Sequence, residues 1–375
     1  MKLIIGGDFV CTENNKELFV SGDRDALFGK ELAAVLAEAD FRSFNLEIPL
    51  TDQASPIVKK GPNLIAGTKT VAGYKAAGAD LLSLANNHIM DQGAQGLFTT
   101  IQTLRDNGIA FFGAGENLKQ AAEPFILETD KGKIGYYTCA EHEFSIAKDN
   151  APGANPFDPL ETPDHIAALK AKCDHVIVLY HGGKEFYRYP SPYLQKCCRK
   201  LIDKGADLVV CQHSHCIGCE EKYGSGTIVY GQGNFLFAFK DTEEWQTELL
   251  IAIDDDFGIS YIPLVKKDHA IRLASGEAAA QILNAFRKRS EEITEEGFIE
   301  KEYSKFAKSR LNSYLLALHG KDSSAFRAAN KLSGGKLRES KLEKIYDKEQ
   351  LAAIRNFIEC EAHRELLLKG LMSDE

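Results

Sequence analysis

The stretch Gly78–Gly93, GADLLSLANNHIMDQG, holds an apolar run and a polar turn, and a helical pattern follows it directly. Leu81–Ala85 has the length and composition of a buried strand, whereas Ala94–Asn107 has apolar residues at helical spacing. The turn between them carries two asparagines, a histidine and an aspartate. A buried strand that ends in polar side chains and leads into a helix is the repeating unit of α/β folds. This segment therefore predicts an α/β fold.

The same unit recurs between residue 1 and about residue 240. The other strands predicted in this region are Leu3–Gly6, Arg42–Asn45, Ala110–Phe112, Ile134–Thr138, Val176–Tyr180, Leu208–Cys211 and Thr227–Tyr230. The other helical patterns are Gly29–Ala39, Thr70–Ala77, Pro163–Lys172 and Pro192–Lys204. The alternation predicts a sheet covered by helices.

Three segments depart from this alternation. Residues 141–163 carry four prolines and little periodicity, which predicts a long loop over the site. Residues 247–265 are typical of two strands joined at a turn, and we expect them to finish a second sheet. From about Glu277, charged and apolar residues interleave at helical spacing, with a break at Ser333–Gly335. This last part predicts a helical extension.

Length and composition limit the class of protein. The chain has 375 residues, 44% of them hydrophobic, and no apolar run reaches the roughly 18 residues that span a bilayer. We place one domain at residues 1–270 and a helical C-terminal extension at residues 271–375. Nine cysteines without an export signal indicate reduced thiols, so we expect a cytoplasmic protein. The net charge of −9 disfavours nucleic acid as a partner.

Polar residues at the ends of the predicted strands are the candidates for a functional site. They are Asp8, Glu47, Asn87, His88, His181, His213 and His215. Imidazole and carboxylate groups suit Mn, Fe and Zn, and two such ions can clamp a phosphoryl group. Taken singly, the aspartate could be a helix cap and the histidines could be satisfied core residues. Their convergence at strand ends favours a site for one or two divalent ions.

The segments GGDF, NLE, GADLLSLANNHIMDQG, GAGEN, HGGKEFY, GADLVVCQHSHCIGCEE and VYGQGNFLF follow one another along the chain. In this order they resemble the CapA family, also called the PGA-cap family. The resemblance covers about residues 1–240, and LANNHxxDxG and GQGNFLF are its specific parts. The family belongs with the calcineurin-like metallophosphoesterases and is linked to capsule and poly-γ-glutamate synthesis. The resemblance implies a layered sandwich in which helices flank two mixed β-sheets.

The resemblance also implies roles for individual residues. Asp8 matches the metal ligand of the first motif, and Glu47 stands where the broader superfamily has a bridging aspartate. Asn87 matches the amide ligand, and His88 matches the histidine that protonates the leaving oxygen. The implied imidazole ligands are His215 on the first ion and His181 and His213 on the second.

Two further residues of these motifs are assigned to catalysis. Asp91 is expected to orient His88, because a carboxylate partner fixes the tautomer of a histidine and raises its basicity. Glu185 is kept from the family's HWGxE motif, although HGGKE lacks the tryptophan. The chain departs from the superfamily at Val10, where a histidine ligand is usual, so the first metal position lacks one ligand.

The remaining candidates lie on the substrate side. Asn234 follows a predicted strand in a glycine-rich turn that permits close approach of a ligand, although a plain turn residue fits equally well. The glutamate that follows the HxH motif is Glu221 or the adjacent Glu220. The lysines that could bind an anionic group, or else lie solvated on the surface, are Lys59, Lys60 and Lys184.

These observations predict a metal-dependent hydrolase of a phosphoester, or of a related ester or amide, linked to capsule or poly-γ-glutamate metabolism. Its substrate would be an anionic small molecule or a peptide-like compound. One alternative is a metal-independent acid/base enzyme acting on a peptide-like substrate, which Val10 favours. Another is a non-catalytic capsule-assembly partner or homo-oligomer that uses the C-terminal helices. No P-loop and no GxSxG motif occurs, so nucleotide-driven ligation and serine hydrolysis lack support.

Overall fold

The protein is described here by a computed structural model. It describes residues 1–238, 242–320, 324–334 and 336–372. Contacts divide the chain into two compact units, Met1–Glu300 and Lys301–Glu375.

The strands of the first unit form two large sheets and one small one. In chain order they are β1 Leu3–Val10, β2 Phe41–Asn45, β3 Leu81–Ser83, β4 Ala110–Phe112, β5 Ala114–Gly115, β6 Phe125–Thr129, β7 Gly132–Ala140, β8 Gly153–Ala154, β9 His175–His181, β10 Leu208–Gln212, β11 Glu220–Tyr223, β12 Gly226–Tyr230, β13 Asn234–Phe237, β14 Thr247–Ile253, β15 Ile259–Lys267 and β16 Ala270–Leu273. The first sheet has the order β16-β15-β14-β1-β2-β3-β4, with β13 also paired to β1, and the second has the order β11-β12-β10-β9-β7-β6. Strands β5 and β8 form the small sheet.

Both large sheets are mixed. In the first sheet β1 is parallel to β2 and β13 and antiparallel to β14. In the second sheet β7, β9, β10 and β12 are parallel, and the edge strands β6 and β11 are antiparallel. Two mixed sheets agree with the layered sandwich that the resemblance implied.

The helices of the first unit alternate with the parallel strands. They are α1 Lys16–Ser21, α2 Arg24–Ala37, α3 Val71–Ala76, α4 Gly93–Asp106, α5 Leu118–Ala121, α6 Thr162–Lys170, α7 Pro192–Asp203, α8 Glu243–Gln246 and α9 Gly276–Glu292, with a 3-10 turn at Thr68–Thr70. The helix α10 Phe298–Leu318 begins at the end of this unit. The second unit continues with α11 Ser324–Leu332, α12 Lys336–Ile345, α13 Lys348–Glu359 and α14 Glu361–Leu371.

Three apolar layers hold the first unit together. Alternate residues of β1 face opposite sides, so that Leu3 and Ile5 meet the second sheet whereas Ile4 meets the helices α1 to α4. The second sheet buries its other face against α6 and α7, as Val178 and Leu201 illustrate. The order of layers is therefore helix, sheet, sheet, helix, which is the predicted α/β sandwich.

The register of the parallel strands brings their polar ends to one edge. Asp8 lies beside Asn45 of β2 and Asn234 of β13 in the first sheet. In the second sheet, Gln212 lies beside His181. Ligands bind beyond the carboxyl ends of parallel strands because the loops converge there. The register thus places the predicted residues at a single end of the sandwich.

The eight predicted strands and five predicted helices are all present, with shifts of a few residues at their ends. The exception in placement is the hairpin at 247–265, because β14 pairs with β1 and so extends the first sheet instead of finishing a second one. Every residue of β14 after Thr247 is buried, and all of these except Glu248 are apolar, which suits an interior strand. Residues 141–163 also hold β8 and the first two residues of α6, and are not a free loop.

The compact unit extends beyond the predicted boundary at residue 270. Helix α9 packs Ile282 and Phe286 into the apolar layer between the two sheets, and Arg289 donates to the backbone oxygen of Gly218 at 2.7 Å. Sequence periodicity reports a helix but not the element against which it packs, so α9 was assigned to the extension. The contact boundary lies at Glu300.

The second unit is helical, as expected. Its small core consists of Leu315, Leu316 and Leu342 with partly buried neighbours such as Tyr346. Of the break predicted at Ser333–Gly335, the last residue lies outside the described residues, and α11 and α12 end and begin on either side. Within residues 1–238, 242–320, 324–334 and 336–372, no helix combines the length and apolar character needed to cross a membrane.

Candidate metal centre

The first sheet contributes two acidic side chains to the site. Asp8 in β1 is fully buried, and its Oδ1 accepts a hydrogen bond of 2.8 Å from Asn45 Nδ2. Glu47 follows β2 by two residues and is also fully buried. Asn86, in the turn after β3, donates to Asn45 Oδ1 at 3.1 Å and to the Leu46 backbone oxygen at 2.8 Å. The side-chain amides of Asn45 and Asn86 thus hold Asp8 and the end of β2 in place.

The second sheet contributes the histidines. His181 is the last residue of β9, whereas His213 and His215 follow β10 in a turn. Both therefore lie beyond the end of the strand. Both have positive φ, 77° and 54°, a backbone conformation that costs non-glycine residues about 1–3 kcal/mol and that concentrates at functional sites.

Glu47, His213 and His215 form a cluster that could hold a metal ion. One ligand atom from each lies within 4.8 Å of the others. Asp8 Oδ2 lies 3.2 Å from His215 Nδ1, so the cluster extends to the carboxylate of β1. Carboxylate and imidazole are the ligands predicted for Mn, Fe or Zn.

A second group of ligand atoms surrounds His181 Nε2. Asn87 Oδ1 lies 3.0 Å away, His213 Nδ1 3.1 Å and Glu47 Oε1 3.4 Å. Asn45 Nδ2 lies 3.1 Å from the other ring nitrogen, Nδ1. An amide oxygen, two imidazoles and a carboxylate thus meet at one point, and Glu47 is common to this group and to the one around His215.

The acidic atoms of the cluster fit a cation. Among the described residues, Asp8 Oδ2 and both carboxylate oxygens of Glu47 are buried without a hydrogen-bond partner. Taking an ionised carboxylate out of water is strongly unfavourable unless a counter-charge or a metal ion compensates it. The donor set, its burial and these two carboxylates therefore fit a divalent ion. The charges of His215 and His181 compensate the two carboxylates only in part.

The histidines carry different charges. Burial opposes protonation of His215, but the negative charges of Glu47 and Asp8 raise its pKa to about 9. Burial and the charges of His181 and His215 hold the pKa of His213 well below its usual range. Burial alone would raise the pKa of Asp8, but the close contact with His215 and the charges of His181 and His215 lower it. A neutral His213 has a lone pair available for a metal.

His88 and Asp91 form a pair beside the cluster. His88 Nδ1 lies 2.6 Å from Asp91 Oδ2, and the backbone N–H of His88 donates to Asn86 Oδ1 at 3.1 Å. The side chain of Asp91 is inaccessible to solvent, whereas that of His88 is 12% exposed. The contact between these two residues is the one predicted for an oriented imidazole.

The candidates on the substrate side fall into three groups. Asn234 joins the cluster, because its Oδ1 lies 2.8 Å from His215 Nδ1. Lys184 and Lys60 are exposed, and the charge of Lys184 acts on His213. Lys59, in contrast, is buried against Asp91.

Two glutamates of the predicted set are not joined to the cluster by a described contact. Glu221 lies in β11, where it accepts from Tyr230 Oη at 2.6 Å and pairs with Arg199. Glu185 is half-buried in the turn after β9, and among the described residues no hydrogen bond or ion pair joins it to the candidate ligands. Instead, Glu141 accepts the backbone N–H of Gly183 at 2.9 Å.

Sequence reasoning missed several residues that complete the site. Trp245 of α8 stacks on His215, with ring centroids 4.8 Å apart and planes at 26°. Glu143 accepts from Asn87 Nδ2 at 3.2 Å. Asn45 had been read only as the end of a strand. Its position before Glu47 was the available signal, whereas nothing local marked Trp245.

Some solved structures resemble the chain at low identity. A phosphatase from Mycoplasma pneumoniae matches with a TM-score of 0.44 and 14% identity, covering 72% of this chain and 94% of that one. A putative 5'-nucleotidase from Staphylococcus aureus matches with a TM-score of 0.44 and 12% identity, covering 76% of this chain and 58% of that one. Likenesses at this level say nothing about activity.

Curated relatives match the first part of the chain. The capsule biosynthesis protein CapA of Bacillus anthracis is 30% identical over 240 residues, 62% of this chain and 58% of that protein. The PGA biosynthesis protein CapA of Bacillus subtilis is 29% identical over 236 residues, 62% of each. The chain thus spans about three fifths of the length of these relatives.

The family model described as bacterial capsule synthesis protein PGA_cap matches residues 2–238. This range contains β1 to β13, and with them every strand end that supplies a candidate ligand. The model covers more than half of the 375 residues. The chain therefore belongs to the PGA_cap family of bacterial capsule synthesis proteins.

Proposed function

We propose that the protein is a metal-dependent hydrolase that cleaves a phosphoester, or a related ester or amide, in capsule or poly-γ-glutamate metabolism. The observation that carries this proposal is the buried pair of carboxylates, Asp8 and Glu47, which lack hydrogen-bond partners for three of their oxygens beside three histidines. A catalytic site explains this costly arrangement, since a purely structural core would satisfy or exclude such groups.

The residues of the centre divide the work. Asp8, Glu47, Asn87, His181, His213 and His215 would hold one or two divalent ions. Such ions, when bound, polarise the scissile group and activate water. His88 would give a proton to the leaving oxygen, because it is the partly exposed histidine whose Nδ1 is held by Asp91. Asn234 would keep His215 oriented, because its Oδ1 accepts from His215 Nδ1.

The substrate would be anionic and either a small molecule or peptide-like. The exposed ammonium groups of Lys184 and Lys60 are the candidates to meet its charge. The names of the curated relatives, which refer to capsule and PGA biosynthesis, support a substrate from that metabolism.

Elemental analysis tests the proposal directly. The purified protein, supplied with Mn, Fe or Zn, should retain about one or two ions per chain and hydrolyse an aryl phosphate. His213→Ala combined with Asn87→Ala should lose both the ions and the activity. His363→Ala, in the second unit, is the matched control and should retain both. Wild-type protein without metal after supplementation would overturn the proposal.

A second candidate function keeps the site without the metal. Asp8 and His215 already form a buried pair at 3.2 Å, and proton transfer requires positioned groups rather than ions. The protein would then act as an acid/base enzyme on a peptide-like substrate. Activity that survives exhaustive chelation would favour it, whereas strict dependence on added ions would exclude it.

The third candidate is an assembly role for the second unit. Exposed apolar side chains lie on α13 and α14, among them Phe357, Leu366 and Leu371, and such residues can meet a partner or a second copy. Deleting residues 301–375 should then abolish association, measured by light scattering, and leave the metal content of the first unit intact. A truncated protein that associates as before would contradict this role.

A further inference from the structure

Lys59 occupies an unusual place for a surface-loop lysine. It lies between β2 and α3, and its side chain is only 2% exposed. Its neighbours Val58 and Lys60 are both exposed, Val58 almost completely. A buried ammonium group requires compensation by an opposite charge. The side chain of Lys59 therefore points into the protein, whereas a lysine that binds an anion at the rim of a site would point to solvent.

The partner of Lys59 is Asp91. Lys59 Nζ contacts Asp91 Oδ1, while Asp91 Oδ2 accepts the backbone N–H of Leu64 at 2.6 Å and lies 2.6 Å from His88 Nδ1. Asp91 is fully buried. Both oxygens of Asp91 thus have hydrogen-bond partners, and the ammonium group of Lys59 supplies the counter-charge that an ionised buried carboxylate needs.

The segment that carries Lys59 is fastened to the same turn. The backbone N–H of Ile57 donates to the backbone oxygen of Asp91 at 3.1 Å. The Gln92 side chain accepts from the Ser55 N–H at 2.7 Å and donates to the Leu64 oxygen at 2.9 Å. These contacts hold residues 55–64 against the turn, so Lys59 Nζ has little freedom to swing towards a substrate.

The geometry determines the tautomer of His88. Lys59 Nζ also lies 3.2 Å from His88 Nδ1. An ammonium group has no lone pair and cannot accept a hydrogen bond, so a proton on Nδ1 can be donated only to Asp91. The short contact of 2.6 Å between Nδ1 and Asp91 Oδ2 needs a proton between them, and an ionised Asp91 has none to give. The proton therefore lies on His88 Nδ1, which leaves Nε2 as the nitrogen that exchanges a proton with the substrate.

We propose that Lys59 is a positioning residue, which compensates the charge of Asp91 and so keeps His88 in the Nδ1–H tautomer. The catalytic consequence rests on the proposed hydrolase function, whereas the tautomer does not. Without Lys59, Asp91 would be a buried carboxylate with no cation, and it would either become neutral or move. Both changes remove the ionised acceptor of the Nδ1 proton.

The tautomer can be measured by NMR of the full chain labelled with ¹⁵N-histidine, with His88→Asn used to assign the signals. Wild-type His88 should be the Nδ1–H tautomer when neutral. In Lys59→Met the Nε2–H tautomer should become the major form, whereas Lys59→Arg should retain the wild-type form. Lys69→Met, which alters an exposed lysine that has no role in the site, is the matched control. If Lys59→Met does not fold, Lys59→Gln, which lacks the charge but keeps a donor, takes its place.

A wild-type Nε2–H tautomer, or a folded Lys59→Met with an unchanged tautomer, would overturn the proposal. With an aryl phosphate as substrate, Lys59→Met should lower kcat about 10- to 100-fold and leave KM nearly unchanged. If Lys59→Met instead had a raised KM and the wild-type tautomer, Lys59 would be a substrate-binding residue. This result would also overturn the proposal. If the wild-type protein hydrolyses nothing, the proposed function fails, and the NMR measurement still decides the role of Lys59.

Discussion

The binding of a divalent ion should release at least one proton at pH 7, because His215 must lose its proton to become a ligand. The pKa of His215 is raised to about 9, since the charges of Glu47 and Asp8 outweigh the effect of burial. A metal needs the neutral imidazole. Between pH 9 and pH 7, displacing this proton costs about 1.4 kcal/mol per pH unit, so affinity should fall about 100-fold over that range.

Calorimetry with Mn²⁺ between pH 6.5 and pH 8, in buffers that differ in ionisation enthalpy, measures the protons released per ion. The apparent affinity should rise about tenfold per pH unit in this range. His181, whose pKa is also raised by Glu47 and Asp8 against the effect of burial, would add to the number released. His363→Asn is the control and should behave as wild type. A proton count of zero, or an affinity independent of pH, would refute the reasoning.

The same ionisation should be visible in the metal-free protein. Trp245 is the only tryptophan of the chain and stacks on His215, with centroids 4.8 Å apart, so its fluorescence should titrate with the imidazole. The pKa of His215 in the folded protein lies above the ordinary 6.5. Its ion pair with Asp8 and Glu47 therefore stabilises the fold fully below about pH 6.5, and this stabilisation is lost as the pH rises through about 9. A fluorescence transition near pH 6.5 instead would contradict the assignment.

Three further predictions concern stability. A divalent ion at 100 times its Kd should stabilise the protein by about 2.7 kcal/mol, which raises Tm by several degrees in a scanning experiment, and His213→Ala should abolish this increase. Trp245→Ala should cost about 3–5 kcal/mol in urea unfolding, because it empties a buried site beside His215, and a loss below about 1 kcal/mol would show that the stack contributes little. Gly113→Ala should prevent folding or destabilise the protein far more than Gly108→Ala, since a Cβ at Gly113 would lie 2.2 Å from Thr138 Cγ2. A Cβ at Gly108, which has a similar positive φ, would meet no heavy atom within 4 Å. Thermal unfolding of the two purified variants, followed by circular dichroism, compares them, and equal stability would contradict the steric argument.

The local pattern of the sequence was sufficient for most elements that carry the site. Leu81–Ala85, Val176–Tyr180 and Leu208–Cys211 were recognisable as strands because buried parallel strands are short continuous apolar runs. The polar residues that end them could be placed at one edge, because parallel strands share a direction. The residue types at those ends then indicated a metal site, and the order of the motifs indicated the family.

Other parts of the prediction failed because they depend on distant packing. The hairpin at 247–265 joins the first sheet because β14, which is buried on both faces, pairs with β1. Helix α9 belongs with the first unit because Ile282 and Phe286 fit between the sheets. Alternation along the chain contains neither fact, as it describes the face that is buried and not the element that buries it.

The sequence by itself determined the α/β alternation, the family and the residue types of the candidate centre, because each of these is written in contiguous segments. Only the tertiary structure decided that Glu47 stands between His181 and His215, that His213 and His215 lie in a turn with positive φ, and that Lys59 points inward to Asp91. These relations arise from two sheets packed face to face and from a loop fastened to a neighbouring turn. Distances across such interfaces depend on all the side chains between them, and no short stretch of sequence contains them.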